Sequence, residues 1–175
     1  MITVAHTADL APATLQAAKD LVYAVFEGDI EEKDWEHGLG GLHALAHADG
    51  ELVGHASLVM RRMLHRGRAL RTGYVEVVAV RADHRRHGLG GAVMAPLERA
   101  IDAAYDLGAL GASDMALPFY ASRDWQPWRG ALSALTPQGV VPTPDELGGI
   151  FVRPTAVPLD LDGELTCDWR DGEVW

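Results

Sequence analysis

Residues 2–6 open the chain with a short extended pattern that predicts a first strand. Asp9 then precedes residues 11–26, where Leu15, Ala18, Val22 and Phe26 recur at helical spacing. Glu27-Gly28-Asp29 supplies the stop, glycine being a common residue just past a helix end. Three strand patterns follow, at 42–48, 52–64 and 70–80. Asp49-Gly50 joins the first two as a two-residue hairpin turn, and Arg66-Gly67 turns the chain into the third, so the meander is expected to be antiparallel. A polar loop rich in Arg and His occupies 81–88. Beyond it Leu89, Val93, Leu97, Ile101 and Tyr105 recur at steps of four, the apolar face of an amphipathic helix. The remainder reads as a strand near 109–113, a short helix over 118–122 and a strand over 125–135. A loop at 137–149 and two short strands at 150–153 and 165–169 complete it. Strand runs around one central helix predict an α+β layout. With no repeat and no linker, residues 1–175 are expected to form one domain.

Composition narrows this picture without changing it. At 175 residues and 48% hydrophobic content the chain can bury a substantial core without disulfide or metal support. Cys167 is its single cysteine, so an internal disulfide and a Cys-rich zinc site are both excluded. No apolar run approaches the roughly 18 residues that span a membrane. The first residues lack the basic leader and apolar stretch of a signal peptide, so the cytoplasm is the expected location. The formal net charge of −10 disfavours nucleic acid or an anionic membrane as partner and suits a cationic ligand if the acids cluster.

The chemistry concentrates where a Val-rich strand, Val75-Glu76-Val77-Val78-Ala79-Val80, feeds Arg85-Arg86-His87-Gly88-Leu89-Gly90-Gly91 and then a helix. Main-chain N–H groups at a helix start have no intrahelical partner and face the end favoured by negative charge. A pyrophosphate fits there: Gly88 and Gly90 permit close backbone approach, and Arg85 and Arg86 add positive charge. Taken alone, the same residues also suit a Gly-rich turn beside a solvated basic loop. The Gly-x-Gly-x-x-Gly and Walker-type patterns are both missing.

The pattern Arg85-x-x-Gly88-x-Gly90 resembles the pyrophosphate-binding signature of the GNAT acetyltransferases. Pro118-Phe119-Tyr120-Ala121-Ser122-Arg123-Asp124-Trp125 resembles that family's Tyr-bearing helix-to-strand turn, with Asp124 where Gly is common. A closer resemblance runs along nearly the whole chain. Phe26-Glu27-Gly28-Asp29, Asp34-Trp35-Glu36-His37, Gly73-Tyr74-Val75-Glu76, Tyr120-Ala121-Ser122-Arg123 and the segment from Cys167 to Trp175 are similar to the aminoglycoside 2'-N-acetyltransferases.

The resemblance implies a GNAT acyl-CoA N-acyltransferase fold, a mixed splayed sheet with helices on both sides. It implies acetyl-CoA as co-substrate, no metal, an aminoglycoside acceptor modified at its 2'-amine, antibiotic resistance as the outcome, and a homodimer. Val78, Ala79, Val80, Arg85, Arg86, His87, Gly88, Leu89 and Gly90 are then expected to hold the cofactor. Asp29, Glu76, Val77, Gly111, Asp145 or Glu146, and the terminal carboxylate of Trp175 are expected at the substrate. A polycation fits such carboxylates, because charge-assisted hydrogen bonds are strongest in a partly dry cleft. The expected mechanism is direct attack: Glu76 as base, the Val78 N–H as oxyanion donor and Tyr120 as acid. Cys167, with no base identified, is expected to be structural. Trp125 and Trp128 are expected in packing, His84 and His87 as loop or phosphate contacts. Arg61, Arg62, Arg66, Arg68 and Arg71 are expected to keep a strand edge soluble or to flank the phosphates. Two other functions fit the same residues: acetylation of another cationic amine metabolite, and non-catalytic CoA binding in a regulatory protein.

Overall fold

A computed structural model describes residues 1–175. Its elements, in chain order, are β1 (Ile2–His6), α1 (Pro12–Phe26), α2 (Glu32–His37), β2 (Leu42–Ala48), β3 (Glu51–His65), β4 (Arg68–Val80), α3 (Leu89–Ala104), β5 (Leu107–Gly111), α4 (Leu117–Ala121), β6 (Gln126–Pro127), β7 (Leu132–Thr136), β8 (Gly139–Pro142), β9 (Ile150–Pro154) and β10 (Leu165–Cys167). The hydrogen-bonded strand order is β6-β9-β5-β4-β3-β10-β7-β8, with β2 also on β3 and β1 on β2. The β4–β5 and β10–β7 ladders are parallel. Antiparallel ladders join β1 to β2, β2 to β3, β10 to β3, β5 to β9, β6 to β9 and β7 to β8. The sheet is therefore mixed and the chain α+β. It divides into two compact units, Met1–Val59 with Val75–Ala100, and Met60–Tyr74 with Ile101–Trp175.

In the first unit β1 and β2 pair from Ile2↔Ala46 to His6↔Leu42, and β2 pairs with β3 from Leu42↔Leu58 to Ala48↔Glu51. Asp49 and Gly50 both adopt left-handed backbone, φ 50° and 83°, as the hairpin turn requires. Pro12 starts α1, where its missing N–H costs nothing, and Glu27 and Gly28 end it at φ 53° and 94°. Ala18, Val22, Ile30, Trp35, Leu45 and Ala79 form the core. The helical stripe read from sequence is right for Ala18 and Val22, but Phe26 is exposed and Leu21 is buried instead. Each step of four overshoots a full turn of the helix by about 40°, which carries position 26 off the buried face. Helix α2 escaped the sequence reading because it is shorter than two turns and offers too little periodicity. Its start is fixed by the Asp34 carboxylate, which accepts from the Glu31 N–H at 2.8 Å.

In the second unit β5 pairs with β4 through Thr72↔Leu107, Gly73↔Gly108 and Tyr74↔Ala109. β9 lies on β5 from Leu107↔Pro154 to Gly111↔Ile150. Leu107, Ala109, Leu110, Trp125, Trp128, Leu132, Phe151, Val152, Leu165 and Cys167 are buried. The strand expected over 125–135 is two strands, broken at 128–131. There the buried Trp128 donates its indole N–H to the Gly163 carbonyl at 3.0 Å, pulling the chain out of the ladder. The loop expected over 137–149 contains β8 and a 3-10 turn at Pro144–Glu146. In the basic stretch Arg62, Arg66, Arg68 and Arg71 are exposed, Arg66 paired with Asp160 and Arg71 with Asp106; Arg61 departs from its reading as a solvated cation, being 5% exposed.

Candidate functional site

The first unit carries the Gly-rich loop and the strand that feeds it. Arg86 and Gly88 adopt φ 64° and 78°, and α3 begins at Leu89. The first helical hydrogen bond of α3 runs from the Ala92 N–H to the Gly88 carbonyl, 3.0 Å. The N–H groups of Leu89, Gly90 and Gly91 precede it and, by helix geometry, lack intrahelical acceptors. Arg86, His87 and Gly88 are exposed around this helix start. Arg85 is exposed too, and its Nε donates back to the Val80 carbonyl at 3.1 Å. Arg81 bonds Asp83 and Glu51, and its guanidinium with His84 holds the Asp83 carboxyl down at about 2.

Upstream of the loop, β4 departs from regular strand geometry at Val77, whose φ is 44°. Left-handed backbone at a β-branched residue is a strained conformation that needs support from its surroundings. The carbonyls on either side of the kink accept from β3 side chains: Val77 from His55 at 3.1 Å, Glu76 from the Ser57 hydroxyl at 3.4 Å. Just past the end of β4 the Arg81 N–H donates to the Val53 carbonyl. Glu76, Val77 and Val78 are half-buried, and Ala79 packs into the core. Asp29 lies just past α1 as an exposed residue, its N–H bonded to the Phe26 carbonyl.

The second unit gathers residues that are far apart in the sequence. Trp175 is 7% exposed, and its indole N–H donates to the Thr143 hydroxyl at 2.8 Å. This draws the chain end onto the turn that carries Asp145 and Glu146. Burial raises the Glu146 carboxyl, and the charges of Glu173 and Asp145 add to the rise. The Gly149 N–H bonds the Glu146 carbonyl, and the Ala112 N–H bonds the Gly149 carbonyl, so Gly111 joins the same neighbourhood. A Cβ on Gly111 would meet only ordinary contacts, the Tyr74 hydroxyl at 3.6 Å and Ile150 at 3.9 Å. The position thus has room for a small side chain. Tyr120 sits among Phe119, Trp125 and Phe151, and burial pushes its hydroxyl up to about 12. The turn after it puts Asp124 at φ 66°, the left-handed conformation in which Asp replaces Gly at small cost.

Sequence reasoning missed the residues that anchor this end. Arg61 donates to the Asp168 carboxylate at 2.8 Å and to the Asp168 and Val174 carbonyls at 2.9 and 2.6 Å. Arg170 donates to the Trp175 main-chain oxygen at 2.7 Å. Both guanidinium groups lie over the Tyr74 ring, at 4.7 and 5.4 Å. Only the family resemblance of the segment from Cys167 to Trp175 signalled this end, and it named no partner for Arg61 or Arg170. Glu173 was likewise unread. Cys167 is buried, burial pushes its thiol up to about 11, and it donates to the Val174 carbonyl. Those are the properties of a packing residue. Trp125 and Trp128 are buried in the core.

A family model described as an acetyltransferase (GNAT) domain matches residues 7–128. An aminoglycoside 2'-N-acetyltransferase of Mycolicibacterium fortuitum is 51% identical over 174 residues, covering 97% of this chain and 89% of that protein. Among solved structures, Escherichia coli ElaA has a TM-score of 0.61 at 20% identity, over 87% of this chain and 98% of its own. An acyl-CoA N-acyltransferase from Pseudomonas aeruginosa gives 0.61 at 18% identity, with the same coverage of both chains. These two likenesses concern the fold.

Proposed function

The chain belongs to the GNAT acetyltransferase family, and on that premise we propose that it transfers the acetyl group of acetyl-CoA to the 2'-amine of an aminoglycoside. The observation that carries the reading is the pairing of a kinked β4 with an open, glycine-rich helix start. Both are parts that a thioester donor with a pyrophosphate needs. The N–H groups of residues 88–91, with Arg85 and Arg86, suit the pyrophosphate. His87 and Leu89 complete that loop. Main-chain groups of Val78, Ala79 and Val80, past the β5 ladder, suit the pantetheine arm.

In the proposed reaction Glu76 takes a proton from the 2'-ammonium, directly or through water. The free amine attacks the thioester carbonyl carbon, and the Val78 N–H stabilises the oxygen that becomes negative. The carbon–sulfur bond then breaks, the thiolate takes the Tyr120 proton, the new amide nitrogen gives its excess proton to water, and water in turn reprotonates Tyr120. A Tyr120 hydroxyl raised to about 12 stays protonated at neutral pH, as an acid for a thiolate must. For the acceptor we propose Asp29, Glu76 and Val77 in the first unit, and Gly111, the Asp145–Glu146 turn and Trp175 in the second. Glu146 and Glu173 together supply negative charge to a polycation. We also propose that residues 1–175 work as one catalytic domain, in the cytoplasm, as a homodimer. The exposed Val140 and Val141 on edge strand β8 give a dimer an apolar surface to cover.

Incubation of the purified chain with acetyl-CoA and an aminoglycoside, with the product resolved by NMR, tests the reading. A monoacetylated product substituted at the 2'-nitrogen is expected. Acetylation at another nitrogen would move the acceptor amine, and no acetylation of any aminoglycoside would overturn the substrate assignment.

A further inference from the structure

Two histidines lie wholly buried in the first unit. His43 and His55 are each 0% exposed, and their polar contacts are with each other, with Thr7 and with the strained residue of β4. The His43 Nδ1 and His55 Nε2 atoms are 2.9 Å apart. The His55 Nδ1 lies 3.1 Å from the Val77 carbonyl, and the His43 Nε2 lies 2.8 Å from the Thr7 hydroxyl. Trp35 covers His55 at 5.7 Å.

The direction of every hydrogen in this chain follows from its inner end. A carbonyl only accepts, so the His55 Nδ1 carries a hydrogen and donates to Val77. A neutral ring then has a lone pair at its Nε2, so the His43 Nδ1 donates to it. The His43 Nε2 is left to accept, and the Thr7 hydroxyl donates to it. Thr7 is itself fixed from outside, receiving the Gly40 N–H at 2.9 Å. The Thr7 hydroxyl has one hydrogen and a second acceptor in reach, the Gly41 carbonyl at 3.2 Å; the shorter contact, 2.8 Å to His43, takes it. Burial holds both rings neutral, lowering each from 6.5 to about 4.

Two imidazoles in an apolar core cost desolvation that a leucine pair would avoid. They end on the carbonyl of the residue with φ 44°, a conformation that persists only where neighbours over-determine it. We propose that His55 and, behind it, His43 are positioning residues for the acetyl-transfer reaction: they hold the Val77 kink, and through it set the direction of the Glu76 side chain and the Val78 N–H. This rests on the function proposed above. The Ser57 hydroxyl on the Glu76 carbonyl is a second, weaker brace on the same kink.

An amide side chain can replace one ring nitrogen at a time, and that decides between holding the kink and filling the core. In His55→Asn the amide nitrogen takes the place of Nδ1 and keeps the bond to Val77. In His55→Gln the amide reaches the position of Nε2 and keeps only the His43 end. Coenzyme A affinity, measured by calorimetry without acceptor, and kcat with acetyl-CoA and an aminoglycoside are the readouts. His55→Asn is expected to stay within about threefold of the parent, while His55→Gln loses about tenfold in one or both, as for one lost hydrogen bond. Adding Val77→Gly to His55→Gln is expected to recover part of the loss, since glycine adopts the left-handed backbone without a brace. His55→Gln equal to or better than His55→Asn, or no recovery on adding Val77→Gly, would overturn the proposal. Should neither His55 variant fold, Thr7→Val removes the donor that fixes the His43 tautomer from the periphery. A fall in coenzyme A affinity that Val77→Gly relieves is expected, and unchanged affinity would overturn the proposal. If the parent acetylates no aminoglycoside, the function reading fails, while the ordering of coenzyme A affinities still decides the role of His55.

Discussion

Among the residues proposed for function, those of the first unit offer mostly main-chain atoms, and those of the second mostly side chains. β4 contributes the Val77 kink and the main chain to Val80, and α3 contributes the N–H groups of residues 89–91. The second unit anchors the segment of Glu173 and Trp175 and the turn of Glu146 through Arg61, Thr143 and Arg170, and packs Tyr120 separately among Phe119, Trp125 and Phe151. The contrast matches the two ligands proposed. A donor common to a whole family can be held by backbone, which survives sequence change. An acceptor particular to a few members needs particular side chains, and those need their own anchors.

The largest expected effect lies where β4 supplies a side chain as well as backbone. Glu76→Gln should lower kcat by on the order of a hundredfold to ten-thousandfold with little change in coenzyme A affinity. Unchanged turnover and pH profile would remove Glu76 from the chemistry. Tyr120→Phe, in the second unit, should lower kcat by on the order of tenfold to a hundredfold and leave both KM values near those of the parent. Full activity would reassign Tyr120 to packing with Trp125 and Phe151.

Arg61→Met separates the two units by a different route. It removes the donors on Asp168 and Val174 and should destabilise the chain by about 2–4 kcal/mol, seen in denaturant unfolding. Where the protein is still folded, KM for the amine should rise while coenzyme A affinity holds. An equal loss of both ligands would contradict the division of labour.

The histidine pair gives the first unit a pH signature. Both rings have folded pKa values lowered to about 4, so as pH falls the unfolded chain takes up protons first. The stability they carry is complete above about pH 6.5 and is lost progressively as pH drops toward 4. Melting temperature should fall over that window, and less steeply in a His43→Phe, His55→Leu double variant of otherwise native fold. Parallel curves would show that the pair is not titrating. The smallest effect expected is a rise of about threefold to tenfold in amine KM for Glu146→Gln, with KM for acetyl-CoA unchanged. A change in acetyl-CoA KM instead would place Glu146 with the donor.

The same division explains what the sequence disclosed. Glycine spacing and a strand–loop–helix order are local, so the helix start at Leu89 and the turns at Asp49-Gly50 and Arg66-Gly67 were legible. The kink at Val77 was not, because no residue type marks it: valine is the least expected residue for that backbone, and its support comes from His55 across the β3–β4 pair. The break between β6 and β7 escaped for a like reason, Trp128 being held by a carbonyl at Gly163. Arg61 read as a surface cation, since its partners at Asp168 and Val174 lie more than a hundred residues away. Trp175 and the 145–146 turn were found through the family resemblance, and their meeting at Thr143 only through the fold.

The most direct test uses two acceptors that differ at one position. Kanamycin B has an amine at 2' and kanamycin A a hydroxyl, and release of free thiol from acetyl-CoA follows turnover of each. Turnover with kanamycin B and none with kanamycin A is expected for an enzyme that acetylates the 2'-amine. Equal turnover with both would contradict it, because the acetyl group would then be reaching a different nitrogen.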